Sequence, residues 1–187
     1  MFDQMSEGEA TFLVSALGLF RNVQDQGRAV PRANVNLVRA YNTADFYRGL
    51  SGAEDILHLI AHADSTTLQT GNSRSGVVAD ELQRRAARGN VTVAPIVIST
   101  CCSFQSAAWR AALREAGATI LIAAPQAVSP ANLAAFDMAF YSALLSRVRR
   151  GKETVQRVRE SFTIANRHYR AVHAEGTPFA RFSLERL

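Results

Sequence analysis

Apolar residues recur along the chain in two distinct rhythms. Short runs rich in β-branched residues, TFLVSALG (11–18), VNLVRA (35–40), ILHLIA (56–61), PIVIST (95–100) and TILIAA (119–124), have the length and composition of buried strands. Amphipathic segments alternate with them, which is how a mostly parallel sheet covered by helices reads in sequence. The spacing predicts helices over 45–50, 75–88 and 105–116, the second ended by Gly89-Asn90 and the third by Gly117. Ser129-Pro130 then sets a capping serine before a proline at the first helical position. Leu133, Phe136, Phe140, Leu144 and Val148 follow at helical spacing until Gly151, giving a helix with one buried face. Val155, Val158, Phe162, Ala165 and Tyr169 repeat the pattern in a last helix, and an edge strand is expected over 179–184. Residues 24–34 and 64–74 read as surface loops. The expected architecture is one α/β domain over 1–187, with a mostly parallel central sheet of five or six strands and helices on both faces.

Length and composition narrow the class. A chain of 187 residues, 48% hydrophobic, suits one domain with a substantial core. No stretch approaches the roughly 18 consecutive apolar residues of a membrane-crossing helix. The opening residues MFDQMSEGEA are acidic where a signal peptide is basic, so a cytoplasmic location without membrane attachment is expected. The two cysteines, Cys101 and Cys102, are adjacent and close no useful loop, which excludes a disulfide-stapled secreted fold. Charge is uneven: residues 1–146 hold 11 basic and 12 acidic side chains, whereas residues 147–187 hold 10 and 4. Arg147, Arg149, Arg150 and Lys152 fall at an expected helix C-terminus, where cations favour the macrodipole. Arg157, Arg159 and Arg167 fit a solvated helix face. No nucleic-acid-binding motif accompanies the charge, so nucleic acid is not an expected partner.

Candidate chemistry comes from the strand ends. In open parallel sheets the ligand crevice lies beyond the carboxyl ends of the strands. Here ILHLIA runs into His62-Ala63-Asp64 and PIVIST into Cys101-Cys102-Ser103. If these strands are neighbours, an imidazole and a thiol emerge on one edge, as nucleophilic catalysis requires. The thiolate is the reactive form, and Cys101 precedes a helix whose first amides would lower its pKa. Histidine titrates near neutrality and can exchange the proton. Against this stands the structural alternative, since free cysteine and strand-end histidine are both common in cores. Zinc-ligand spacing is absent among His58, His62, Cys101 and Cys102, so no metal is expected. No glycine-rich phosphate loop follows the first strand, which argues against a nucleotide-binding domain.

At these residues the sequence resembles the caspase-like cysteine peptidases, and is most similar to CHAT domains. ILHLIAHAD and PIVISTCCSF fit the family's histidine and cysteine strands. The similarity continues through REAGATILIAAPQAVSPANLAAFDMAFYSALL to TPFARFSL, and covers about residues 35–187. The resemblance implies a caspase-like fold and a cysteine endopeptidase that needs no cofactor. His62 would be general base and acid. Cys101 would be nucleophile, because Ser103 then takes the family's small-residue position two places later. Metacaspases, whose double cysteine uses its second member, keep Cys102 open as the alternative. Backbone amides of Ala63 and Cys101 would hold the oxyanion, and Ser99, two before the nucleophile, would line the substrate pocket. Asp64 and Arg74 are further candidates for a pocket charge.

Two positions depart from the family pattern. Ala63 stands where glycine usually follows the histidine, and Phe104 where glycine follows the small residue. The resemblance further implies a protein substrate, an activating or regulatory protein partner, and a role of the kind linked to bacterial antiviral defence or cell death. The two glycine departures motivate the other expectation, a catalytically degenerate member that serves as a protein-interaction module.

Overall fold

Three apolar runs, residues 56–61, 95–100 and 119–124, form the parallel part of one sheet in a computed structural model. It describes residues 24–25, 28–29, 38, 40–50, 52–71, 76–99, 102–124, 130–146, 154–172 and 182–187. Strands β3 (Ile56–Leu59), β6 (Ile96–Ser99), β7 (Ile120–Ala123) and β8 (Ser183–Arg186) make a four-stranded sheet in the order β3-β6-β7-β8. The first three are parallel and β8 is antiparallel to β7. Every residue of β6 and β7 is buried, as expected of central strands covered on both faces, whereas β3 and β8 are mostly half-buried. The register pairs Leu59 with Ser99 and Ser99 with Ala123, so three carboxyl ends finish level.

The α/β class and the mostly parallel sheet are those expected, but the sheet has four strands among the described residues. Candidate strand 11–18 lies outside the described residues. Of 35–40 only residues 38 and 40 are described, and neither is in a strand. The closing strand is Ser183–Arg186 rather than 179–184, because Ser183 pairs with Ala123 and Arg186 with Ile120. Two expected loops contain paired backbone. Within 24–34, β1 (Gln24–Asp25) pairs with β2 (Arg28–Ala29), and within 64–74 lies β4 (Thr67–Gln69). Strand β4 pairs antiparallel with β5 (Gly76–Val78), so the expected helix 75–88 starts only at Ala79. The β-branched pair Val77-Val78 suits a pleated strand better than a helix, and Val77 is wholly buried there.

Helices α1 (Thr43–Gly49), α2 (Ala79–Ala87) and α3 (Ala107–Glu115) belong with the sheet to a compact unit within 38–128 and 180–187. Leu82 of α2 and Trp109, Ala112 and Leu113 of α3 share one buried cluster with Val97, Leu121 and Ala123 of the sheet. Both α2 and α3 end in a Schellman motif. Asn90 N donates to Arg85 O and Gly89 N to Ala86 O; Ala118 N donates to Leu113 O and Gly117 N to Arg114 O. The φ values of Gly89 and Gly117, 72° and 104°, lie in the region where a side chain is strained. These stops turn the chain directly into the segments that lead to β6 and β7.

The second compact unit holds α4 (Pro130–Ser146) and α5 (Thr154–Val172). The expected positions Leu133, Phe136, Phe140 and Leu144 are buried, and Asp137, Tyr141 and Ala143 widen that face. The helices meet where Phe136 and Phe162 pack edge to face at 6.0 Å between ring centroids. Among the described residues no helix is long and apolar enough to cross a membrane.

Candidate active site

The carboxyl ends of β3 and β6 are side by side, with Leu59 opposite Ser99. His62 follows β3 by three residues and Cys101 follows β6 by two. Because the strands are parallel, both segments leave from the same edge. This adjacency is the condition that the sequence left open.

After β3 the chain forms a hairpin. Ala63 pairs with Leu68, Gln69 N donates to His62 O at 2.8 Å, and Asp64 N donates to Thr67 O at 2.9 Å. These bonds flank the Ala63–Leu68 pair, the narrow kind in which the paired amides point away from one another. His62 is exposed and Leu68 is buried. Asp64 makes the turn. Its Oδ1 accepts from Thr66 N at 2.8 Å, Thr67 N at 2.7 Å and Thr66 Oγ1 at 3.2 Å. The Thr66 amide first, and then that of Thr67, holds this exposed carboxyl below its ordinary pKa. The charge expected to face a substrate is therefore bonded to its own turn.

After β6, Cys102 opens a 3-10 turn, Cys102–Gln105, and Ser106 caps α3 by accepting from Trp109 N at 3.3 Å. Cys101 and Arg74 lie outside the described residues. Ser99 is described and fully buried between Leu59 and Ala123. Phe104 is wholly buried and stacks on Trp109 with centroids 4.5 Å apart, so the position at which the resemblance expects glycine is filled by core packing.

Four polar contacts from three residues, none of them a candidate from the sequence, fix this turn. Ser106 Oγ donates to Ser65 O at 2.7 Å and Trp109 Nε1 donates to Asp64 O at 3.2 Å, which ties α3 to the histidine hairpin. Gln105 Nε2 donates to Ala123 O at 3.0 Å and to Ser183 Oγ at 2.6 Å, which ties the turn to β7 and β8. Ser106 carried a readable signal, a serine directly before a helical run. Gln105 and Trp109 carried none, since their partners are carbonyls and a hydroxyl remote in sequence.

His58 sits within β3, opposite Ile98, rather than at the strand end. Among the described residues no group of three or more His, Cys, Asp and Glu could hold a metal. A cleft lined by Asp80, Gln83, Arg84, Ala87 and Glu115 contains none of the candidate residues. No protein-family model matches the chain, and no curated protein matches it.

Proposed function

We propose that the protein is a caspase-like cysteine endopeptidase of the CHAT type, with His62 and Cys101 as its dyad and Cys102 as the alternative nucleophile. The observation that carries this reading is the parallel pairing of β3 with β6 in the register Leu59 to Ser99. Three extended residues span at most about 10 Å and two about 7 Å, so His62 and Cys101 both stay close to one edge.

His62 takes the thiol proton, and the sulfur attacks the carbonyl carbon of a peptide bond. Negative charge moves to the carbonyl oxygen, where the amides of Ala63 and Cys101 stabilise it. The tetrahedral adduct collapses as the C–N bond breaks, and His62 returns the proton to the leaving amine. Water, deprotonated by His62, then hydrolyses the thioester and frees the thiol. In this reading the residue two before the nucleophile is Ser99, which is wholly buried at the end of β6, and Asp64 and Arg74 remain the candidates for a pocket charge. The substrate is a partner protein, and a regulatory protein releases the activity.

Phe104 favours a second reading. Its full burial at a family glycine position is compatible with a fold kept for docking after loss of catalysis. Peptide-library cleavage read by mass spectrometry separates the two. The expected result is cleavage by the wild type that is lost in His62→Ala and in only one of Cys101→Ala and Cys102→Ala. Cleavage that survives His62→Ala would remove the dyad, and a wild type silent with and without the protein products of neighbouring genes would favour docking.

A further inference from the structure

The contacts between the histidine hairpin and the start of α3 join segments 41 and 45 residues apart in sequence. Ser106 Oγ accepts from Trp109 N while donating to Ser65 O, which uses its one proton and one lone pair without conflict. The Trp109 indole is itself immobile, being wholly buried and stacked on Phe104 at an interplanar angle of 25°. It therefore presents Nε1 to the Asp64 carbonyl from a fixed platform.

The hairpin is rigid on its own side. The Asp64 amide donates to Thr67 O, its carboxylate takes the Thr66 and Thr67 amides, and Ala63 is held against Leu68. Only Ala63 separates His62 from Asp64. With about 3.8 Å between consecutive Cα atoms, fixing the Asp64 carbonyl restricts where the His62 backbone, from which the imidazole projects, and the Ala63 amide can be. Catalytic groups tolerate displacements of only about 0.5 Å, so two hydrogen bonds spanning the two loops bear directly on their alignment.

The geometry points to Trp109 and Ser106 as positioning residues that hold the histidine hairpin against the cysteine turn. This rests on the peptidase reading and adds to it the device that aligns its two halves. Neither residue touches substrate; each acts through the backbone of Asp64 or Ser65.

Iodoacetamide labelling of the full chain, followed by mass spectrometry on the peptide holding Cys101 and Cys102 across pH 5 to 9, tests this. Trp109→Phe keeps a ring on Phe104 but loses the indole N–H together with the volume of the second ring. Its thiol should react about 3- to 10-fold more slowly near neutral pH, with the midpoint moved towards the ~8.5 of an ordinary cysteine. Ser106→Ala should behave alike and Ser106→Thr, which keeps the hydroxyl, should restore the profile; this pair decides the matter if Trp109→Phe does not fold. A wild type with a low midpoint that neither Trp109→Phe nor Ser106→Ala moves would make these contacts merely structural. Slow, equal labelling of both thiols in the wild type would instead sink the peptidase reading, and the positioning role with it.

Discussion

His58 and His62 are four residues apart and meet opposite environments. His58 lies in β3 beside Ile98, which is itself beside Ile122, and its Nε2 is shielded from water although the residue as a whole is half-buried. Desolvation lowers its pKa from 6.5 to about 4. The unfolded chain therefore takes up a proton as pH falls through 6.5, while the folded chain does not until about 4. Protons favour the unfolded state in that window, and stability should fall by up to about 1.4 kcal/mol per pH unit, levelling below it. Asp64, whose carboxyl is held below its ordinary value of 3.8, loses its contribution only at lower pH, so the two effects separate. Urea midpoints measured from pH 4 to 7 should show this fall in the wild type and a flatter profile in His58→Leu. An equally steep profile in the variant would assign the fall to other groups.

At the scale of elements, the central sheet was legible because β6 and β7 are continuous apolar runs bounded by proline, threonine and glycine. The helix stops at Gly89 and Gly117 were legible because positive φ selects glycine. Val77 and Val78 were read as helix because a three-residue strand is too short to show period two, and its pairing with β4 depends on a turn that periodicity cannot see. The order of the strands gave the strand-end histidine and cysteines their meaning, but only the register places their edges together. Strand β8 shows which element contacts count. Gln105 bonds both Ala123 and Ser183 from a half-buried position, whereas Arg110 and Glu185 form an ion pair at 3.1 Å with side chains 36% and 38% exposed. Gln105→Ala should cost about 1–2 kcal/mol, and Glu185→Gln less than about 1, in urea denaturation. The reverse order would mean that the ion pair, and not the amide, fastens β8.

For the molecule as a whole, the described arginines of the basic stretch 147–187 read as solvated or internally bonded. Arg157 donates to Leu144 O at 3.4 Å, and Arg159 and Arg167 are exposed on α5, where Val158, Ser161 and Ala165 are buried. Titration with duplex DNA at rising salt should show no binding that survives physiological ionic strength. A steep linear fall of log affinity with log salt would instead reveal a phosphate-binding surface.

The reversed direction of β8 has a practical consequence. Its first residue, Ser183, meets Ala123 at the edge where His62 leaves the sheet, while Leu187 N donates to Thr119 O at the other end of β7. Anything joined after Leu187, whether a fluorophore, an affinity tag or a surface linker, departs from the side remote from the histidine hairpin. Tethering at Leu187 thus keeps the attachment point away from the histidine hairpin, so a surface-bound sample can be offered whole proteins as well as short peptides.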